Sequence, residues 1–232
     1  MKKTDSSSFK FKRNARNLMR HAGRLFLFCC SLTGLSACQS ETEETSYPPI
    51  ITDFANLHTD PTGNIYQIEP DDCPRYYLNP IIRGNIPNAT LRALCGYALQ
   101  ETDTTAQGQT ARLYTLTTVE LLQDSTQNAY PGNDPTKILS AWKSGRYINL
   151  HLAPLTQGGR QYWGYRLTRP ENGRSTYTLT LYHNLNNDPQ SFTQEIYASI
   201  SLVPLMEQAQ TGDTVRLQVN TYEGVKTWTF TL

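Results

Sequence analysis

From about Ile65 to the C-terminus, apolar side chains recur at every second position in short runs, and this period of two limits the fold more than any other feature. Ile148, Leu150 and Leu152 fall on one face of Tyr147–Leu152. Tyr177, Leu179 and Leu181 oppose Thr176, Thr178 and Thr180, and Val215, Leu217 and Val219 face together. After Glu223-Gly224, Trp228, Phe230 and Leu232 share a face opposite Thr227, Thr229 and Thr231. Threonine, tyrosine and valine suit half-buried pleated surfaces. Turn signals punctuate the runs at Gly132-Asn133-Asp134-Pro135, Gly158-Gly159, Glu171-Asn172-Gly173, Asn186-Asn187-Asp188-Pro189 and Thr211-Gly212-Asp213. The pattern predicts an all-β chain, sandwich or barrel. Thr90–Leu99 and Lys137–Lys143 read equally well as short helices or strands. The stretch Gln123–Pro135 is the best internal boundary between two domains.

The N-terminal 37 residues follow different rules. Lys2, Lys3, Lys10, Lys12, Arg13, Arg16, Arg20 and Arg24 precede an uncharged run, Leu25–Leu35, which is too short for the roughly 20 residues a spanning helix needs. A basic region followed by a short apolar one is a secretory signal. It ends in Leu35-Ser36-Ala37-Cys38, which resembles a lipobox, so Cys38 is expected to receive lipid and become the new N-terminus. Met19 offers a second start with a more compact signal. Cys29 and Cys30 leave with the signal under either start.

Eight of the 21 basic and one of the 20 acidic residues lie before Cys38, so the remaining 195 residues carry 13 basic and 19 acidic side chains, a formal charge of −6. Such a chain lacks the clustered Lys and Arg that nucleic acid requires, and it would not dock electrostatically on anionic lipid. Residues 38–59 read as a disordered tether, polar and acidic after Cys38, and a flexible chain from Cys38 to about Ile65 would average roughly 30 Å end to end. Gln39 in place of Asp resembles the sorting signal of lipoproteins that leave the inner membrane. Glu41, Glu43 and Glu44 resemble surface-export tags and equally suit a plain spacer. The expected address is the outer membrane, on its periplasmic side or at the cell surface.

One segment carries a family resemblance. In residues 132–152 stand Gly132, Asn133, Asp134 and Pro135, then Trp142, Gly145, Tyr147, Asn149 and Leu150. This resembles the hallmark segment of NigD-like lipoproteins, with Ile148 replacing the usual leucine, and "LYHNLNNDPQSF" downstream also looks like that family. The resemblance implies an N-terminal OB-like small barrel, expected over residues 60–126, followed by a C-terminal immunoglobulin-like β-sandwich over 127–232. Residues 60–124 match less well, since Asn88–Leu94 replaces a Gly-Gln-Arg-Val-like segment. The family has no established activity. Its name comes from a bacteriocin gene cluster, and an immunity role has been suggested for it.

The residues themselves point away from catalysis. No H-E-x-x-H, C-x-x-C, P-loop or G-x-S-x-G pattern occurs. After Cys38 the histidines are His58, in or near the tether, His151 on the polar face of its strand, and His183 at a strand end. His151 and His183 could meet across a sheet, but polar strand-face roles are expected, with no metal and no cofactor. Asp71-Asp72 reads as a turn rather than a catalytic pair, because adjacent strand residues point to opposite faces. Cys73 and Cys95 read first as a disulfide outside the cytoplasm, closing a 22-residue loop for about 3 kcal/mol, and otherwise as two buried thiols. Tyr162, Trp163 and Tyr165 are the best candidates for an exposed aromatic platform, with core or edge packing as the plainer role. The leading expectation is a non-enzymatic, membrane-anchored binder of a protein partner. A glycan-binding lipoprotein and a cryptic hydrolase are the alternatives.

Overall fold

A computed structural model describes residues 48–105, 108–124, 132–170 and 175–232. The signal, Cys38 and the first part of the expected tether lie outside these residues, as does most of the expected domain boundary.

The N-terminal domain is a closed five-stranded barrel. Its strands are β1 (Ile51–Thr59), β2 (Ile65–Pro70), β3 (Tyr76–Ile82), β4 (Thr90–Thr105) and β5 (Gly108–Thr118). They pair in the order β1-β2-β3-β5-β4, with β4 returning to β1 and β3 running parallel to β5. This is the small OB-like barrel that the resemblance implies. Closure removes every free edge. Ala55, Leu57, Ile68, Ala93, Cys95, Tyr97 and Ala111 fill the interior. Thr90–Leu99 is therefore strand, because Ala93, Cys95 and Tyr97 alternate inward.

Two expectations change here. The tether does not reach residue 59, because β1 begins at Ile51 and buries Phe54, Ala55, Asn56 and Leu57. Polar residues around this strand hide a segment that is apolar on both faces. The disulfide is not formed: both cysteines are free, Cys95 buried and Cys73 exposed. Cys95 points into the barrel, whereas Cys73 sits on the turn between β2 and β3. Burial pushes the Cys95 thiol up to about 12, leaving it protonated and inert at neutral pH. Thiol labelling of folded Cys38→Ala protein should therefore modify Cys73 alone, with Cys95 reacting only after denaturation. Two silent thiols that appear only after reduction would restore the disulfide.

The C-terminal domain is a β-sandwich. One sheet has the order β6-β13-β8-β7, from β6 (Glu120–Leu122), β7 (Ile138–Ser144), β8 (Tyr147–Leu152) and β13 (Ile196–Ser201). The facing sheet has the order β10-β11-β14-β15, from β10 (Tyr162–Thr168), β11 (Thr176–Asn184), β14 (Thr214–Thr221) and β15 (Gly224–Thr231). Two-residue strands β9 (Leu155–Thr156) and β12 (Phe192–Thr193) pair beside them, and α1 (Val203–Met206) is the sole helix among the described residues. No helix there is long and apolar enough to cross a membrane. The faces read from the sequence meet in one core: Ile148, Leu150 and Leu152 pack with Tyr177, Leu179, Leu181, Val215, Leu217 and Val219. Within Lys137–Lys143, residues from Ile138 onward form edge strand β7, not a helix. Because β6 already pairs with β13, the sandwich begins near residue 120 rather than at 127.

Candidate functional site

Barrel and sandwich belong to one compact unit. They meet where the outer face of β1 and β4 covers the outer face of β8 and β13. The even positions of β1 and β4 point away from the barrel interior and place Asn56 opposite Arg92. The odd positions of β8 point away from the sandwich core and present Tyr147, Asn149 and His151. Arg92 is the centre of the seam. Its guanidinium donates to Asp71 Oδ1 at 2.5 Å and Oδ2 at 2.7 Å, and the two side chains are only 2% and 3% exposed. It also donates to Ser199 Oγ (3.2 Å), Asn56 Oδ1 (3.4 Å) and Asn149 Oδ1 (3.0 Å). All five N–H donors of the fork are used. Asn149 Nδ2 returns to Asp71 Oδ2 at 3.0 Å, and Arg92 Cζ lies 3.7 Å from the centre of the Tyr147 ring. Taking two charges out of water is tolerable only with such complete pairing. Next to Asp71, Asp72 accepts from Ser144 Oγ at 2.5 Å and from the Gly145 N–H at 2.8 Å. The Asp71-Asp72 turn thus clasps the two domains.

Beside the clasp opens a cleft of about 340 Å³. Phe54, Trp142 and Tyr197 form its aromatic wall, with Phe54 edge-on to Trp142 at 5.2 Å and to Tyr197 at 5.8 Å. Asp53, Asp72 and Cys73 also line it. Asp53 accepts from the Tyr97 hydroxyl at 2.9 Å, and burial together with that carboxylate raises the Tyr97 phenol. His151 also lines the cleft; its Nε2 lies 2.9 Å from Glu195 Oε2 and its ring stacks on Tyr197 at 4.5 Å.

The other sequence candidates are dispersed. His58 lies on β1, 2.9 Å from Glu69 Oε2, not in a tether. His183 lies in the sheet opposite that of His151, so the two are not a pair. It is buried, which holds its imidazole below the usual value, and it stacks on Trp163 at 3.9 Å. Gln161 links His183 to Asp188, whose carboxyl is held down to about 2 by the Thr156 hydroxyl first among its donors. Trp163 is thereby committed to packing, and Tyr165 is buried in the sandwich core. Tyr162 is half-buried, with the Arg160 guanidinium 5.2 Å from its ring. Tyr162, Trp163 and Tyr165 do not form an open platform. Among the described residues no three His, Cys, Asp or Glu side chains gather as a metal site.

The resemblance motif divides into two structural tasks. Trp142, Gly145, Tyr147 and Asn149 all lie at the seam. Gly145 has φ +49°, and a Cβ there would stand 2.3 Å from the Asp71 carbonyl oxygen. The turn Gly132-Asn133-Asp134-Pro135 leads into β7 of one sheet and is hydrogen-bonded to the β11 and β14 side of the other. The Asp134 N–H donates to the His183 carbonyl (2.9 Å), Asp134 Oδ2 accepts from the Leu185 N–H (2.8 Å), and Asn133 O accepts from Asn220 Nδ2 (2.6 Å). A Cβ on Gly132 would meet Asn184 Cβ at 2.4 Å. Residues 118–232 match the family described as NigD-like C-terminal beta sandwich domain. This chain belongs to the NigD-like family. Solved structures agree in fold. A NigD-like immunity protein from Bacteroides caccae has a TM-score of 0.61 at 18% identity, covering 80% of this chain and 98% of that one. A protein of unknown function from Bacteroides vulgatus has a TM-score of 0.63 at 17% identity, over 79% and 91%. A protein from Bacteroides fragilis described as a candidate lipoprotein has a TM-score of 0.55 at 10% identity, over 79% and 98%. No curated protein matches.

Sequence reading of this NigD-like chain missed Arg92, the residue on which the seam turns. A signal for it existed. Phe54 and Ala55 are adjacent and both apolar, so β1 is buried on two faces, and Arg92 lies on the strand paired with it.

Proposed function

We propose that this chain is a lipid-anchored cell-envelope protein that binds a protein partner, in an immunity-like role, through the cleft between barrel and sandwich. The observation that carries this reading is the clasped cleft: a fully paired Arg92–Asp71 seam fixes the domains, and beside it the half-buried rings of Trp142 and Tyr197, packed on buried Phe54, line a pocket with carboxylates. A rigid, preformed aromatic pocket limits the ordering cost of association. Leu35-Ser36-Ala37-Cys38 supports the anchor, and the acidic charge after it argues against a nucleic-acid partner. The immunity protein and the candidate lipoprotein that share the fold lend support of the same kind. The outer membrane, on either face, is the proposed address.

Site-specific photo-crosslinking in intact cells tests the reading. A crosslinker at Thr52 or Leu94, in the cleft, should give one discrete adduct, and one at Thr227 on β15 should not. Cys38→Ala should release the chain from the membrane fraction. Crosslinks that are absent, or equal at all three positions, would defeat the cleft as the binding surface.

A further inference from the structure

We infer that the cleft takes a cationic side chain, arginine or lysine, presented by the protein partner; this rests on the binding role proposed above and adds the chemistry of what is bound. Three carboxylates, Asp53, Asp71 and Asp72, line the cleft, and a fourth, Glu195, lies against the lining His151. Asp71 is consumed by Arg92. Asp53 and Asp72 have no ion-pair partner among the described residues, and their acceptor bonds come from neutral donors: Tyr97 to Asp53, Ser144 and Gly145 to Asp72. No Lys or Arg lines the cleft, and Arg92 beside it is neutralised by Asp71. The lining is therefore net negative, in a chain that is itself acidic after Cys38.

The aromatic residues of the same cleft supply the second half of a cation site. Phe54, Trp142 and Tyr197 lie within the same cleft as the two carboxylates. An aromatic face attracts a guanidinium or ammonium, Trp most strongly, and the attraction grows as water is excluded. The fold holds a guanidinium this way next door, where Arg92 lies on the Tyr147 ring with a carboxylate at its fork. Arg92 also reaches the cleft's Phe54 ring, at 5.6 Å, and His151 stacks on Tyr197, which leaves Trp142 as the ring beside Asp53 and Asp72 that holds no cation. Its 340 Å³ admits one long side chain but not a folded element, so the basic residue would act as an anchor for a larger contact. A neutral or acidic side chain would leave Asp53 and Asp72 desolvated and unpaired.

The test uses the secreted Cys38→Ala chain and three probes: N-acetyl-arginine amide, N-acetyl-lysine amide and N-acetyl-citrulline amide. Indole N–H signals are read by NMR, with Trp163 and Trp228 as internal controls because both pack against the sandwich core. The arginine and lysine probes should shift Trp142 alone, and the neutral citrulline probe should not. Asp53→Asn can still accept from Tyr97, and Asp72→Asn can accept from the Gly145 N–H while its amide donates to Ser144 Oγ. Each should weaken the arginine probe about tenfold, as loss of one charge-assisted contact does, with the fold intact by the controls. Equal shifts from citrulline, no shift of Trp142, or unchanged affinity in both variants would overturn the inference. Cleft crosslinks in cells together with a failed arginine titration would remove the cation chemistry and leave the binding role standing. An arginine response without cleft crosslinks would do the reverse.

Discussion

Replacing Arg92 with methionine is expected to destabilise the protein by about 3–5 kcal/mol and to split its unfolding into two transitions. Methionine fills much of the same volume but leaves the Asp71 carboxylate buried, 3% exposed, without its cation. Asn149 and Ser199, which now share their oxygens with the guanidinium, would lose donors as well. The barrel and the sandwich have separate cores, so each could persist after the seam opens. Calorimetry of Arg92→Met and of Arg92→Met/Asp71→Leu gives the reading. The double variant should recover much of the loss, because an apolar pair replaces an orphaned charge. One undivided transition moved by less than about 1 kcal/mol would mean that the pair behaves like a surface ion pair and does not join the domains.

Gly145→Ala should produce the second large effect. The position needs a left-handed backbone, φ +49°, and the new Cβ would stand 2.3 Å from the Asp71 carbonyl oxygen. Backbone strain alone costs about 1–3 kcal/mol for a non-glycine residue. The clash adds to this, since relief requires Asp71 to retreat from Arg92. Gly158→Ala is the control: its φ is +94° and nothing lies within 4 Å of a Cβ there, so it carries strain without the clash. Denaturant unfolding should place Gly145→Ala well below Gly158→Ala. Its loss should be less than additive with Arg92→Met, because both act on one clasp. Equal losses in the two alanine variants would show that Gly145 serves only its own turn.

The legible and the hidden parts of this protein divide along particular residues. Alternation placed Ile148, Leu150 and Leu152 on a common buried face, and the structure puts them there. The same alternation assigned His151 to the other face, where polar residues ordinarily meet water. In this protein the other face of β8 meets a second domain, and Tyr147, Asn149 and His151 become interface. Asp71-Asp72 read as a turn, and a turn it is; that it clasps the sandwich depends on residues 21 and 73 positions away. Cys73 and Cys95 had a plausible spacing for a disulfide, but spacing does not say that one points into a barrel and the other out of it.

Local pattern therefore settled what is local. A period of two, turn residues and β-rich composition determine strands, their inward faces and the all-β class, because each depends only on neighbours along the chain. The motif of Gly132–Asn149 identified the family from the sequence alone. The tertiary structure decided the rest: where the barrel begins, which polar face is buried a second time, and which side chains surround the cleft. Those outcomes arise from pairings between residues far apart in sequence, and burial of a charge such as Arg92 is favourable only once all its distant partners have converged on it.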